Sequence, residues 1–90
     1  MVWTVSFVNA IAEAELNDLP LDMRSRFTRF GTLIQEHGIS AMREPYAKHL
    51  SGKLWELRLT GRDGIARAIY ITASGRRVIV LRTFVKKTQK

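Results

Sequence analysis

The apolar positions change period twice along the chain. Met1 to Val8 alternates, with Trp3, Val5 and Phe7 on one side and Val2, Thr4, Ser6 and Val8 on the other, which predicts a strand with one buried face. The next stretch, AIAEAELNDL, is rich in helix formers and sets Ala12, Leu16 and Leu19 on one stripe, so a short helix capped by Asn9 is expected. Asp18 and Pro20 mark a break and a restart. From about Pro20 to His37, the residues Met23, Phe27, Phe30, Ile34 and His37 recur at helical spacing and share one face, and Gly38 supplies the stop. Both the aromatic stripe and His37 are assigned to structure rather than to a site.

From Ile39 to Ser51 no period persists, and Glu44-Pro45 opposes a continuous helix, so a connecting loop is expected there, with room for a helical turn. After Gly52 the period becomes two: Trp55, Leu57 and Leu59 alternate with Glu56, Arg58 and Thr60. Gly61 to Gly64 punctuates a hairpin into a strand from about Ile65 to Ala73, and Ser74-Gly75 turns the chain into a last strand from about Arg77 to Val85. That last strand, VIVLRTFV, is apolar on both faces and belongs in the middle of a sheet or under a cover. The expected fold is α+β. It has an N-terminal strand, a two-helix hairpin on one face of the sheet, and a three-stranded antiparallel meander, all in one domain spanning 1–90.

Charge changes this picture. Residues 1–45 carry four Lys/Arg against six Asp/Glu, and residues 46–90 carry eleven against two, together giving the net +7. The excess therefore sits on the meander, and its natural partner is a polyanion, with nucleic acid first. With no cysteine and two separated histidines, His37 and His49, a disulfide framework or a zinc cluster is not expected. The N-terminus lacks a signal-peptide pattern and no window is apolar enough to span a membrane, so the expected address is the cytoplasm. Ninety residues form one core that buries roughly 60 to 65% of the unfolded surface.

Strand parity puts Arg58 with Glu56, away from Trp55 and Leu57; Arg67 with Ile69 and Ile71; and Arg82 with Val80 and Phe84. Parity does not say which of the latter two sets faces the helices, and a bulge would reset it. Arginines on a sheet face, with Lys86 and Lys87, suit forked hydrogen bonds to phosphate and charge stabilisation in phosphoryl transfer. No general base stands out: His37 and His49 are poorly placed, which leaves a neutral lysine or Glu56. On spacing alone, a phosphate site and a solvated sheet surface remain equally open.

At these residues a family resemblance becomes specific. The run Lys48, Leu50, Gly52, Leu54, Trp55, Glu56, Leu57, Arg58, then Gly64, Arg67 and Tyr70, then Phe84, Lys86, Lys87 and Thr88, resembles the RelE/ParE superfamily of toxin-antitoxin toxins, most closely its HigB-like, phage-Gp49-like branch. The order of elements is similar as well. The resemblance implies a ribosome-dependent endoribonuclease that cuts mRNA by 2′-hydroxyl attack without metal or other cofactor. It also implies a cognate antitoxin of helix-turn-helix type, operator DNA contacted only through the antitoxin complex, and no membrane partner. It assigns catalysis to Arg67, Lys87, Arg58 and Lys86, with Arg67 and Lys87 on the scissile phosphate and Arg58 and Lys86 on the backbone. Lys48, Lys53, Arg82 and Phe84 are implied as RNA contacts, although Phe84 also suits core packing. Tyr70 is expected to pack, and Glu56 to orient an arginine. Relatives usually continue past Lys-Lys-Thr into a C-terminal helix, so a domain ending at Lys90 is expected to lack it. The alternatives are a ParE-like gyrase-poisoning or non-catalytic toxin, and an inactive relative that only binds nucleic acid or antitoxin.

Overall fold

The computed structural model describes residues 2–86. In chain order the elements are β1 (Thr4–Phe7), α1 (Ala10–Asn17), α2 (Leu21–His37), a 3-10 turn (Ile39–Ala41), β2 (Ala47–Ser51), β3 (Leu54–Gly61), β4 (Gly64–Ala73) and β5 (Arg77–Lys86). The strands form one sheet in the order β1-β5-β4-β3-β2, with β1 parallel to β5 and every other pair antiparallel. The apolar last strand therefore lies inside the sheet, between β1 and β4, as its two-faced pattern predicts.

Local sequence explains the helices. Asn9 accepts a hydrogen bond from the Ala12 N–H at 2.9 Å and caps α1, whose Ala12 and Leu16 are buried. Pro20 precedes α2 in an extended conformation, and Gly38 ends it with φ +84°, a conformation glycine adopts without strain. Met23, Phe27, Phe30 and Ile34 form the buried stripe of α2, while His37 lies on the exposed last turn beside Glu36 rather than on that stripe. The helical stripe joins Leu16, Leu19, Leu57, Leu59, Ala66, Ala68, Tyr70, Val78 and Val80 in one core, with Trp3, Val5 and Phe7 packed at its edge. Each large apolar side chain fully buried there contributes roughly 1.5 to 3 kcal/mol. Tyr70 is among them, as expected, and burial pushes its phenol up to about 12.

The stretch from Ile39 to Ser51 departs from the expected loop, because it contains β2 as well as the helical turn. Only Ala47 of this strand is buried. An edge strand needs a neighbour's backbone rather than an apolar face, so it carries no period-two signal. The meander accordingly has four strands, not three.

The start of α2 is pressed onto the β3–β4 turn. Asp22 accepts from the Arg62 N–H at 2.6 Å, and Arg26 Nε donates to the Thr60 carbonyl at 3.0 Å. A Cβ on Gly61 would sit 2.7 Å from Met23 Cγ, closer than packed atoms approach, so glycine is required at this contact.

Candidate nucleic-acid interface

Register decides which side chains share a face, because residues directly opposed in an antiparallel pair point the same way. The rows Ala47–Leu57–Ala68–Thr83 and Leu59–Ala66 point into the helix-covered core. The intervening rows face the other side: Lys48–Glu56–Ile69, then Arg58–Arg67–Phe84, then Thr60–Ile65–Lys86. Leu57 thus points at the helices and Arg58 away from them, as parity requires. Trp55 shares the parity of Leu57 but lies near the strand end, exposed and packed on His49 with ring centroids 4.8 Å apart.

Between Ile69 and Tyr70 the β4–β5 register shifts: Tyr70 opposes Val80 while Ile69 opposes Arg82, leaving Leu81 as the extra residue of a bulge. This corrects the grouping of Arg82 and Phe84 with Val80. Beyond the bulge Thr83 takes the buried parity, and Phe84, 47% exposed, comes out beside Arg67 instead of packing in the core. Arg82 is not brought to the cluster. Its Nε donates to both carboxylate oxygens of Glu15 of α1, at 3.1 and 2.9 Å, its Nη2 lies 2.9 Å from Oε2 in the same ion pair, and Glu15 also accepts from the Thr83 N–H at 2.9 Å. These hydrogen bonds, that from Arg82 foremost, hold the Glu15 carboxyl below its usual range, and Glu15 in turn raises Arg82.

At the centre of the open face is Glu56. It is only 4% exposed although both helices pack on the other side. Its Oε2 accepts from Arg58 Nε at 3.3 Å and from Arg67 Nη1, so one carboxylate oxygen holds both guanidiniums. Arg58 and Arg67 stand directly opposite each other, flanked by Lys48 on β2, Phe84 on β5 and Lys86 at the last described position. Lys53 is exposed in the β2–β3 turn, at the end of the same hairpin. Lys87 lies outside the described residues.

His49 is not part of this cluster. It is paired with Trp55 on the other parity, and its Nε2 lies 2.8 Å from the Gly52 carbonyl, so that nitrogen carries the proton and donates. Among the described residues no group of three or more His, Cys, Asp and Glu is arranged to hold a metal ion. No helix of the described residues is long and apolar enough to cross a membrane. Sequence spacing missed the pairing of Glu15 with Arg82, since 67 positions separate them. The double role of Glu56 was half visible: its parity with Arg58 is in the sequence, but Arg67 reaches it from another strand.

The fold is similar to that of solved RelE structures. A chain of the archaeal RelE–RelB complex from Pyrococcus horikoshii OT3 superposes with a TM-score of 0.69 at 23% identity, over 94% of this chain and 96% of that one. A free-state mutant of the E. coli toxin RelE gives 0.66 at 18% identity, over 92% and 82%. No curated protein matches the sequence significantly. The model of the family described as "Phage derived protein Gp49-like" matches residues 14–90, which takes in the second half of α1, all of α2 and the meander with its arginine pair; the chain is a member of that family, on a RelE-like fold.

Proposed function

We propose that the chain is the toxin of a type II toxin-antitoxin pair and acts as a ribosome-dependent mRNA endoribonuclease that needs no metal. The observation that carries this reading is the Arg58–Arg67 pair held on one buried carboxylate, beside the exposed ring of Phe84. In such a reaction the 2′-oxygen attacks the adjacent phosphorus and the bond to the 5′-oxygen breaks. The 2′-hydroxyl proton is lost to a base and a proton is supplied to the leaving oxygen, giving a cyclic phosphate and a 5′-hydroxyl end. Negative charge accumulates on the non-bridging oxygens, where guanidinium donors in a water-poor site act most strongly. Arg67, with Lys87, is assigned to the scissile phosphate, and Arg58 and Lys86 to its neighbours. Lys48 and Lys53 extend the track along β2 and its turn, and Phe84 offers a face for base stacking. Arg82 is left out of the proposed contact set because its guanidinium is held on Glu15 of α1 through Nε.

The archaeal relative was solved with RelB. An antitoxin partner here is supported by that pairing and by the half-exposed apolar residues Ile69, Ile71, Ile79 and Leu81 beside the cluster. The work would take place in the cytoplasm, where ribosomes translate. The test is induction of the gene in cells, with and without the neighbouring antitoxin gene, followed by mapping of mRNA ends. New ends that require translation, and that vanish with the antitoxin, are expected. Growth arrest without such ends, accompanied by DNA-damage signalling that survives Arg67→Ala with Lys87→Ala, would instead identify a gyrase-poisoning toxin.

A further inference from the structure

Two arginines directly opposed across a strand pair repel one another, and an ordinary sheet would place Thr or Val there. In this chain Arg58 and Arg67 are so opposed, and each is more than half buried, with side chains 32% and 19% exposed. The carboxylate that relieves the repulsion is itself buried, which costs solvation that an apolar residue would not. Its bonding is selective. Glu56 Oε2 takes the inner Nε of Arg58 and one terminal nitrogen of Arg67. Both terminal nitrogens of Arg58 and the Nη2 of Arg67 have no hydrogen-bond partner among the described residues. They are also not among the buried unsatisfied atoms, whereas Arg67 Nε is. One nitrogen of each guanidinium, Nε of Arg58 and Nη1 of Arg67, is thus tied to the carboxylate, while the terminal nitrogens without a partner among the described residues sit on the same face of the sheet.

We propose that Glu56 is a positioning residue for phosphodiester recognition. It holds the two guanidiniums so that their outer donors converge on one phosphate, and it takes no part in proton transfer. The inference rests on the ribonuclease reading for its kinetic consequence but not for its geometry. A held pair loses little order when a phosphate arrives, and holding matters most where the reacting geometry is tight.

The test begins with the wild-type chain. Arginine side-chain N–H groups observed by 15N-edited NMR are expected to exchange slowly for Arg58 Nε and Arg67 Nη1, the two donors to Glu56, and rapidly for the exposed turn residues Arg62 and Arg76. In Glu56→Gln both protected signals collapse. Affinity for a non-cleavable 2′-O-methyl RNA oligonucleotide stays within about threefold, since the lost order is offset by the removal of a negative charge. The kcat for ribosome-programmed cleavage falls about 100-fold with KM little changed, and the pH profile of the remaining rate keeps its shape. Rapid exchange at both arginines in the folded wild type would overturn the proposal, as would Glu56→Gln cleaving within about threefold of wild type. Loss of one limb of the pH profile would make Glu56 the general base instead. If wild type cleaves nothing, the ribonuclease reading fails and the exchange and oligonucleotide arms still decide the positioning. If Glu56→Gln does not fold, the wild-type exchange measurement decides alone.

Discussion

Glu56 and Glu15 each bind arginine, and the two sites use the same chemistry to opposite ends. At Glu56 one oxygen gathers two arginines from neighbouring strands, in a regular stretch of sheet, and three of their terminal nitrogens have no partner among the described residues. At Glu15 both oxygens are spent. One arginine is held through Nε and Nη2, and the remaining bond goes to a backbone N–H of β5. The cause is the length of β1. Its pairing with β5 stops at Val80, with a last bond from the Val8 N–H to the Val80 carbonyl at 2.9 Å, so the Thr83 N–H has no strand beside it. Glu15 fills that vacancy from α1, and Arg82, turned out by the bulge, follows the carboxylate. A basic residue on this sheet is a candidate ligand contact only where its donors are not already consumed.

The sharpest way to break this comparison is to remove one arginine from each site. Arg67→Ala is expected to lower cleavage by about 10²- to 10³-fold, the effect of losing one donor to a developing oxyanion. Arg82→Ala should stay within about threefold, measured as ribosome-dependent mRNA cleavage. Equal losses would erase the distinction between the two sites.

A second expected effect concerns the support beneath the arginine pair. Gly61→Ala drives a methyl group into Met23 and the Asp22 carboxylate, and should cost about 1 to 3 kcal/mol in urea denaturation. By contrast, Gly31→Ala, with open space around its Cβ inside α2, should stabilise by about 0.5 to 1 kcal/mol.

The Glu15 site predicts a pH dependence of definite sign. Its carboxyl is held below the ordinary value of 4.5, chiefly by Arg82 and then by the Thr83 N–H. The unfolded chain therefore binds the proton more readily as pH falls. The contribution of Glu15 is fully present above about pH 4.5 and disappears as pH drops through the folded-state value. Denaturation between pH 6 and pH 3 should show a smaller loss of stability in Glu15→Gln than in wild type, by about 1 kcal/mol for a charge-assisted bond at a part-exposed position. An identical loss would mean that the edge of β5 is not closed by this carboxylate. The smallest effect is expected at Arg76, a non-glycine residue at φ +59° in the β4–β5 turn, where Arg76→Gly should raise the melting temperature by a degree or two.

Much of this molecule is legible in one dimension. The stripes of α1 and α2, the Asn9 cap, the Gly38 stop and the hairpin turns follow from local spacing and backbone preference, which act within a few residues and leave a readable period. The parity that parts Leu57 from Arg58 is of the same kind, and the motif run from Lys48 to Arg58 with Arg67 located the candidate site before any register was known. Three things belong to the tertiary structure alone. The strand β2 forms because β3 offers it a backbone edge, not because its own side chains alternate. The bulge at Leu81 brings Arg82 and Phe84 together onto the arginine face, since one inserted residue inverts every side chain after it, and Glu15 of α1 then draws the Arg82 guanidinium away from the cluster. And Glu56 becomes the common anchor of two arginines only once β3 and β4 are paired in register, because a carboxylate's partners are set by distance in space, which spacing along the chain does not contain.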